Sequence, residues 1–299
     1  VSWDKLFEIL RPDFLLQHAL YGSVVVGLVC PLVGVYFLLR RLVFWGVALP
    51  EVSAAGIACA FLLQGLGFNL LSAGGEAQER HLAIAGSVLF TLGAILALVW
   101  LDRRGKGVTE GRVGAVYAVA AALSILFVAW NAAGETEMLG LLKGEIVTIS
   151  DQDFHAMLVA FAGAAVCFLV FQSEFLLVSF DRDMAVTLGR RVLIWELFLY
   201  LLIGLVISLG VMTAGPLVIF GFLVIPPMAA LPWSRGMLSF SLLASALGGL
   251  SAFAGFYASY AYDLPLGPVA VCVAALVLLI SSAGTMIWPR GRRSAARVG

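Results

Sequence analysis

A glutamate stands beside a proline in the middle of an apolar run, ALPEVSAAGIACA, from Ala48 to Ala60. A carboxylate in such a place can do one kind of chemistry well: it can offer oxygen to a hard or borderline divalent cation. It can also exchange a proton. The plain alternative is a buried, uncharged carboxyl hydrogen-bonded to a neighbouring helix. Arg40 and Arg41 precede the run. At ~1.5 Å per helical residue, Glu51 lies ~15 Å beyond them, near the midplane of a ~30 Å hydrocarbon layer. A carboxyl at that depth costs several kcal/mol unless it meets a partner or water. Pro50 removes a backbone hydrogen bond one turn earlier, near Gly46. Ser53, Ala54, Gly56 and Ala60 are small enough to let a second helix approach closely.

Other polar residues are weaker candidates. His18, His81 and His155 all fall near one set of segment ends, where His155, together with Glu145, could line an entrance; ordinary interfacial hydrogen bonds account for them equally well. The chain has no GxxxxGK[ST] phosphate loop, no HExxH, and no intramembrane serine with a base, so neither ATP hydrolysis nor intramembrane catalysis is expected of it. Cys30, Cys59, Cys167 and Cys272 lie in apolar runs without CxxC spacing, which predicts reduced core cysteines rather than a disulfide framework or zinc knuckle.

The elements that must position Glu51 follow from composition. Of 299 residues, 62% are hydrophobic and only 12% charged, against ~25% charged in a soluble domain, and mean hydropathy is +1.04. The class is an all-α, polytopic membrane protein. About nine apolar segments approach spanning length: Leu15–Leu39, Val43–Leu63, His81–Leu101, Val113–Ala132, Phe154–Phe175, Leu193–Met212, Leu217–Leu231, Met237–Tyr260 and Leu266–Ile287. The seventh is short and holds Pro226 and Pro227, so it reads as a broken or half-spanning helix, with eight spans as the alternative. Nine spans with the N-terminus outside put fourteen of the 18 Lys and Arg residues on the inner side, including the basic tail 289–299. Residues 1–14, VSWDKLFEILRPDF, form an amphipathic, acidic segment unlike a signal peptide. Residues 15–288 form the membrane domain.

Two connections look structured. Thr136–Ile149 is amphipathic and outer, either a re-entrant or interfacial helix or a surface loop. On the inner side, 180–191 reads as a short helix. Asp181 or Asp183 caps its start, Met184, Ala185 and Leu188 give an apolar stripe, and Gly189 ends it. It is either a plain linker or a docking element for a cytoplasmic partner.

The order of these landmarks resembles the membrane permease of ABC importers for zinc, manganese and iron. The resemblance is carried by PLVGVYFLLRRLVFWG (Pro31–Gly46), LLKGEIVTIS (Leu141–Ser150), DRDMAVTLGRR (Asp181–Arg191), GPLVIFGFLVIPPMAA (Gly215–Ala230) and YDLPLGP (Tyr262–Pro268). It covers most of Cys30–Ser282. It implies a homodimer or paired permease in a bacterial inner membrane, with the C-terminus cytoplasmic. It implies cytoplasmic ATPase subunits that hold ATP and Mg, and an extracytoplasmic substrate-binding protein. The cargo would be a divalent metal; no cofactor in this chain and no nucleic-acid partner are expected. Residues 180–191 would then be the coupling helix, with Asp183, Ala185, Leu188 and Gly189 as its matching positions. Many members carry Asp-x-x-x-His where this chain has Val47 and Glu51. A lone carboxylate is a thinner site than that pair and suits zinc less, because zinc favours nitrogen and sulfur ligands. The other readings are an ion- or proton-coupled carrier and a permease of this fold with a non-metal substrate. No convincing half-to-half repeat supports the carrier reading.

The charge distribution generates a topology test. In a cysteine-free background, Ser294→Cys should react with an impermeant thiol reagent from the cytoplasmic side and Ser72→Cys from the external side. Labelling of both from one side would rule out nine spans.

Overall fold

The computed structural model describes residues 16–65, 76–104, 109–130, 151–180 and 182–287. They form ten α-helices: α1 (Gln17–Leu39), α2 (Val43–Gly65), α3 (Glu76–Arg104), α4 (Thr109–Trp130), α5 (Asp151–Val170), α6 (Gln172–Phe180), α7 (Arg182–Thr187), α8 (Val192–Ala230), α9 (Met237–Tyr262) and α10 (Leu266–Ile287). A 3-10 turn, Leu231–Trp233, follows α8. Seven of these are long and apolar enough to cross a membrane: α1, α2, α3, α4, α8, α9 and α10. The pair α5–α6, bent by 67°, makes an eighth if it is one span.

α8 accounts for two of the segments read from sequence. Its 39 residues would measure ~58 Å if straight, about twice the hydrocarbon thickness. It is instead broken at Gly215, where φ is 79° and ψ 160°, a conformation open to glycine and little else. The chain turns back there. A Cβ on Gly210 would lie 2.6 Å from Ile219 Cδ1, although nine residues of straight helix separate two positions by ~13 Å. The arms 192–214 and 216–230 therefore carry the sixth and seventh segments. The second arm measures ~22 Å, short of the hydrocarbon layer, and holds Pro226 and Pro227 buried.

The fifth segment departs from expectation. Read as one straight span, it bends at Phe171 without any proline. Phe171 joins the two helices, its N donating to Cys167 O and its carbonyl accepting from Phe175 N, each at 3.0 Å. Tertiary contacts set the angle. Gln172 Nε2 donates to Ser241 Oγ on α9 at 3.0 Å. The rings of Tyr36, Phe168, Phe171, Phe175, Trp195 and Phe198 form one cluster around α6, with centroid separations from 5.3 to 6.3 Å. Offset and edge-on pairs at these separations attract beyond the area they bury.

α1 and α2 occupy the centre of the molecule, and α10 lies at its edge. Lipid tails are as apolar as leucine, so no hydrophobic force draws spanning helices together; close packing must do it. Glycine permits this at several crossings. Gly27 of α1 and Gly248 of α9 face one another, and a Cβ on Gly27 would stand 2.8 Å from the Gly248 carbonyl oxygen. Gly34 of α1 lies directly against the Leu223 carbonyl of α8. Gly56 of α2 and Gly86 of α3 are reciprocal: a Cβ on either would sit 2.5 Å from the other's oxygen. Ser53 and Ser87 extend that seam with a buried hydroxyl–hydroxyl bond of 2.6 Å.

The cysteines differ from expectation in placement. All four are free, but only Cys30 is buried; Cys59 and Cys167 are half-buried and Cys272 is exposed on α10. Apolar sequence did not distinguish the packed face of a helix from its outer face, because both are apolar in lipid.

The crossings generate a stability test. Gly34→Ala forces a methyl into the Leu223 carbonyl and should destabilise by on the order of 1–3 kcal/mol. Gly93→Ala, where nothing lies within 4 Å, should be neutral or slightly stabilising, because alanine favours helix. Unfolding of both variants in the same detergent measures the difference, and equal stability would contradict the close crossing.

Candidate functional site

α2 is packed on nearly every side. From Trp45 to Ala60 all its residues are buried except Val47, Glu51 and Cys59, which are half-buried. At 3.6 residues per turn Val47 and Glu51 fall on one stripe, and Cys59 lies about 80° further round the helix, beyond the buried Ala55. Phe44, exposed, continues it by a turn toward the start of the helix. Glu51 is the stripe's acidic group. Among the described residues its carboxyl makes no hydrogen bond or ion pair. The helix stays continuous through Pro50.

The opposite side of α2 explains why the stripe is narrow. Ser53, Gly56 and Ala60 meet Gly86 and Ser87 of α3. Ser87 Oγ also reaches the Ser208 carbonyl of α8 at 3.4 Å. The Ser208 hydroxyl itself is buried without a partner. Thr213 bonds to its own helix, donating to Leu209 O at 3.1 Å and Gly210 O at 3.0 Å. The second arm of α8 lies beside the first turn of α2: a Cβ on Gly46 would be 3.6 Å from Val224 Cγ2. That arm has its own open stripe of Leu217, Phe220, Val224 and Met228, spaced three or four residues apart.

The entrance candidates separate. Glu145 and Thr136–Ile149 lie outside the described residues. His155 is exposed on the first turn of α5. Its ring meets Phe154 edge-on at 5.8 Å, and His18 meets the same phenyl at 5.0 Å. Among the described residues, no three His, Cys, Asp or Glu side chains gather where they could share a metal ion.

The short helix at 180–191 is present as α7, Arg182–Thr187, and Asp183 lies within it. Gly189 ends it at φ 70°. Arg190 N donates to Ala185 O and Gly189 N to Val186 O, each at 3.0 Å, which is the Schellman pattern. The stripe read from sequence divides. Met184 and Leu188 are 51% and 58% exposed, joined by Val186 at 60%, whereas Ala185 is fully buried against Val178 and Val192. Ala185 anchors the helix inward and offers no side chain to a partner. Val186 was missed because the sequence pattern did not show which face the flanking helices cover. Arg190 and Glu174 pair at 3.0 Å and brace the same loop.

These features define a class: a polytopic helical permease whose polar group lies on an open membrane-spanning stripe and whose exposed apolar helix lies apart from it. The ABC 3 transport family matches residues 13–285, and the chain belongs to that family. It is 26% identical over 266 residues to the manganese transport system membrane protein MntC of Listeria innocua, covering 89% of each chain. It is 27% identical over 274 residues to the zinc transport system membrane protein TroC of Treponema pallidum, covering 90% of this chain and 88% of that one. Its fold matches the structure of PsaBC from Streptococcus pneumoniae in complex with Fab at a TM-score of 0.78, with 23% identity over 94% of this chain and 95% of that one. The chain is thus a membrane permease and is not itself catalytic.

The stripe generates an accessibility test. In a cysteine-free background, Val47→Cys and Glu51→Cys should react with a water-soluble methanethiosulfonate in the membrane-embedded protein, and Ser53→Cys should not. Uniform protection of all three would show that the stripe faces lipid or protein.

Proposed function

We propose that this chain is the transmembrane subunit of a binding-protein-dependent ABC importer of a divalent metal cation. Two permeases, identical or paired with a homologue, place their Glu51 stripes on one central pathway. The observation that carries the reading is the half-buried Glu51 carboxyl, which among the described residues makes no hydrogen bond or ion pair, on an otherwise packed stretch of a central helix. Family membership favours an ATP-driven importer over a proton-coupled carrier. Relatives named for manganese and zinc transport support a metal cargo.

Each permease contributes one carboxylate at midplane, where others of the family carry Asp and His. Oxygen-only ligands suit manganese or ferrous iron better than zinc. Glu51 touches the passing ion briefly; a transport ligand must release what it holds. α7 presents Met184, Val186 and Leu188 to a cytoplasmic ATPase subunit, which holds ATP and Mg. The N-terminus lies outside, and a substrate-binding protein delivers metal on that face, with His155 at the entrance. The membrane is the bacterial inner membrane.

The permease reconstituted with its ATPase and binding protein tests this over manganese, iron, zinc and a non-metal panel. Glu51→Gln keeps the size and removes the charge. Uptake should fall by at least the ~10–100-fold typical of groups that support a metal ligand. Leu188→Asp should prevent co-purification of the ATPase while leaving the permease folded, since Leu188 is outside the core. Gly189 is a poorer probe, because any side chain there strains a left-handed φ. Wild-type uptake by Glu51→Gln at matched protein levels would remove the cation from Glu51, and wild-type co-purification of Leu188→Asp would remove the docking assignment.

A further inference from the structure

Four helices meet at the inner end of α1 around one guanidinium. Arg40 Nε and Nη2 both donate to Ser179 Oγ on α6, at 2.8 and 2.6 Å. Its Nη1 donates to Tyr200 Oη on α8 at 3.1 Å, and its Cζ lies 5.6 Å from the centroid of that ring. The Ser179 hydroxyl in turn donates to the Phe175 carbonyl. On its other side Tyr200 stacks on Trp45 of α2, with centroids 6.2 Å apart and planes 19° from parallel. Trp45 is 2% exposed and lies six residues before Glu51 on the same helix.

The direction of Arg40 is fixed by the chain itself. α1 ends in a Schellman motif: Leu42 N donates to Phe37 O at 2.8 Å and Arg41 N to Leu38 O at 3.2 Å, with Arg41 at φ 58°. α2 starts one residue after that motif. The α1–α2 connection is therefore a short, hydrogen-bonded corner with little slack, and a displacement of Arg40 moves the first turn of α2.

The far side of the junction belongs to the docking loop. Ser179 stands three residues before the first residue of α7, and Tyr200 lies on the third turn of α8. The Glu174–Arg190 pair closes the loop between them, and Ala185 seats α7 against Val178 of α6 and Val192 of α8. α6, α7 and the start of α8 thus form one braced unit, and Arg40 binds that unit at two points.

We propose that Arg40 is a positioning residue that couples α7 to the Glu51 helix: movement of the docked α7 shifts Ser179 and Tyr200, and the guanidinium passes the shift to the corner of α1–α2 and, through Trp45, to the helix that carries Glu51. This deepens the importer reading and rests on it. Arginine suits the task because its planar fork addresses two acceptors at once on a fixed plane and stacks on an aromatic face. Lysine retains the charge and can hold one acceptor, not both in this geometry.

The test uses the full complex, permease with ATPase and binding protein in vesicles, with manganese uptake and ATP hydrolysis measured on the same sample. Arg40→Gln should keep ATP hydrolysis within about twofold of wild type while uptake falls ~tenfold, lowering the ions moved per ATP. Arg40→Lys should restore part of that ratio. Ser179→Ala should lower the ratio as well, and adding it to Arg40→Gln should cost no more than Arg40→Gln alone, as residues acting through one contact are non-additive. A wild-type ratio in Arg40→Gln would overturn the proposal. So would a proportional loss of hydrolysis and uptake at matched protein levels, since that marks a role in folding or docking alone. A wild-type complex that neither binds the ATPase nor moves metal would overturn the importer reading and this inference with it.

Discussion

The structure depends on how closely backbones approach where no side chain intervenes. In lipid the spanning helices gain nothing from hiding apolar surface, so their order rests on contacts made at short range. Gly34 against the Leu223 carbonyl, Gly27 against Gly248, and Gly56 against Gly86 bring α1, α8, α9, α2 and α3 to that range. With those crossings in place α2 is enclosed from Trp45 to Ala60 except at Val47, Glu51 and Cys59. A looser bundle would leave Glu51 one exposed group among several; this one leaves it on a defined stripe.

The same packing sorts the polar groups by depth. On the closed side of α2, Ser53, Ser87 and the Ser208 carbonyl form a short buried chain, which holds α2, α3 and α8 in register. On the other side, the Glu51 carboxyl has no such partner among the described residues. A carboxyl within an apolar membrane helix is costly unless it meets a partner or water. At the end of α1 the chemistry changes again. Arg40, Ser179, Tyr200 and Trp45 make a compact polar and aromatic junction, where an arginine can reach the headgroup level while its stem packs among helices.

Much of the architecture was legible in the sequence. Composition set the class, and apolar segments of spanning length placed nearly every helix. The sixth and seventh segments were separable as apolar runs, whereas the break between them at Gly215 was shown by its backbone conformation. Gly189 marked the end of α7, because glycine tolerates the turn made there. Glu51 stood out because a carboxyl inside an apolar run is rare and costly. These features are local: each depends on the length, polarity or backbone freedom of a few consecutive residues.

What the sequence did not carry is sidedness. An apolar residue facing lipid and one facing another helix have the same type, so Cys30 and Cys272, or Ala185 and Val186, could be told apart only after the helices had packed. The 67° bend at Phe171 had no proline or glycine to announce it; aromatic contacts and the Gln172–Ser241 bond produce it. Arg40 was visible as a charge between two apolar segments but not as a junction, since its partners Ser179 and Tyr200 lie 139 and 160 residues away in the chain. The sequence by itself determined that this is a helical membrane permease with an acidic group inside an apolar run. Tertiary structure alone decided which stripe of α2 stays open and which helices one arginine ties together, because both are set by contacts between residues far apart in sequence.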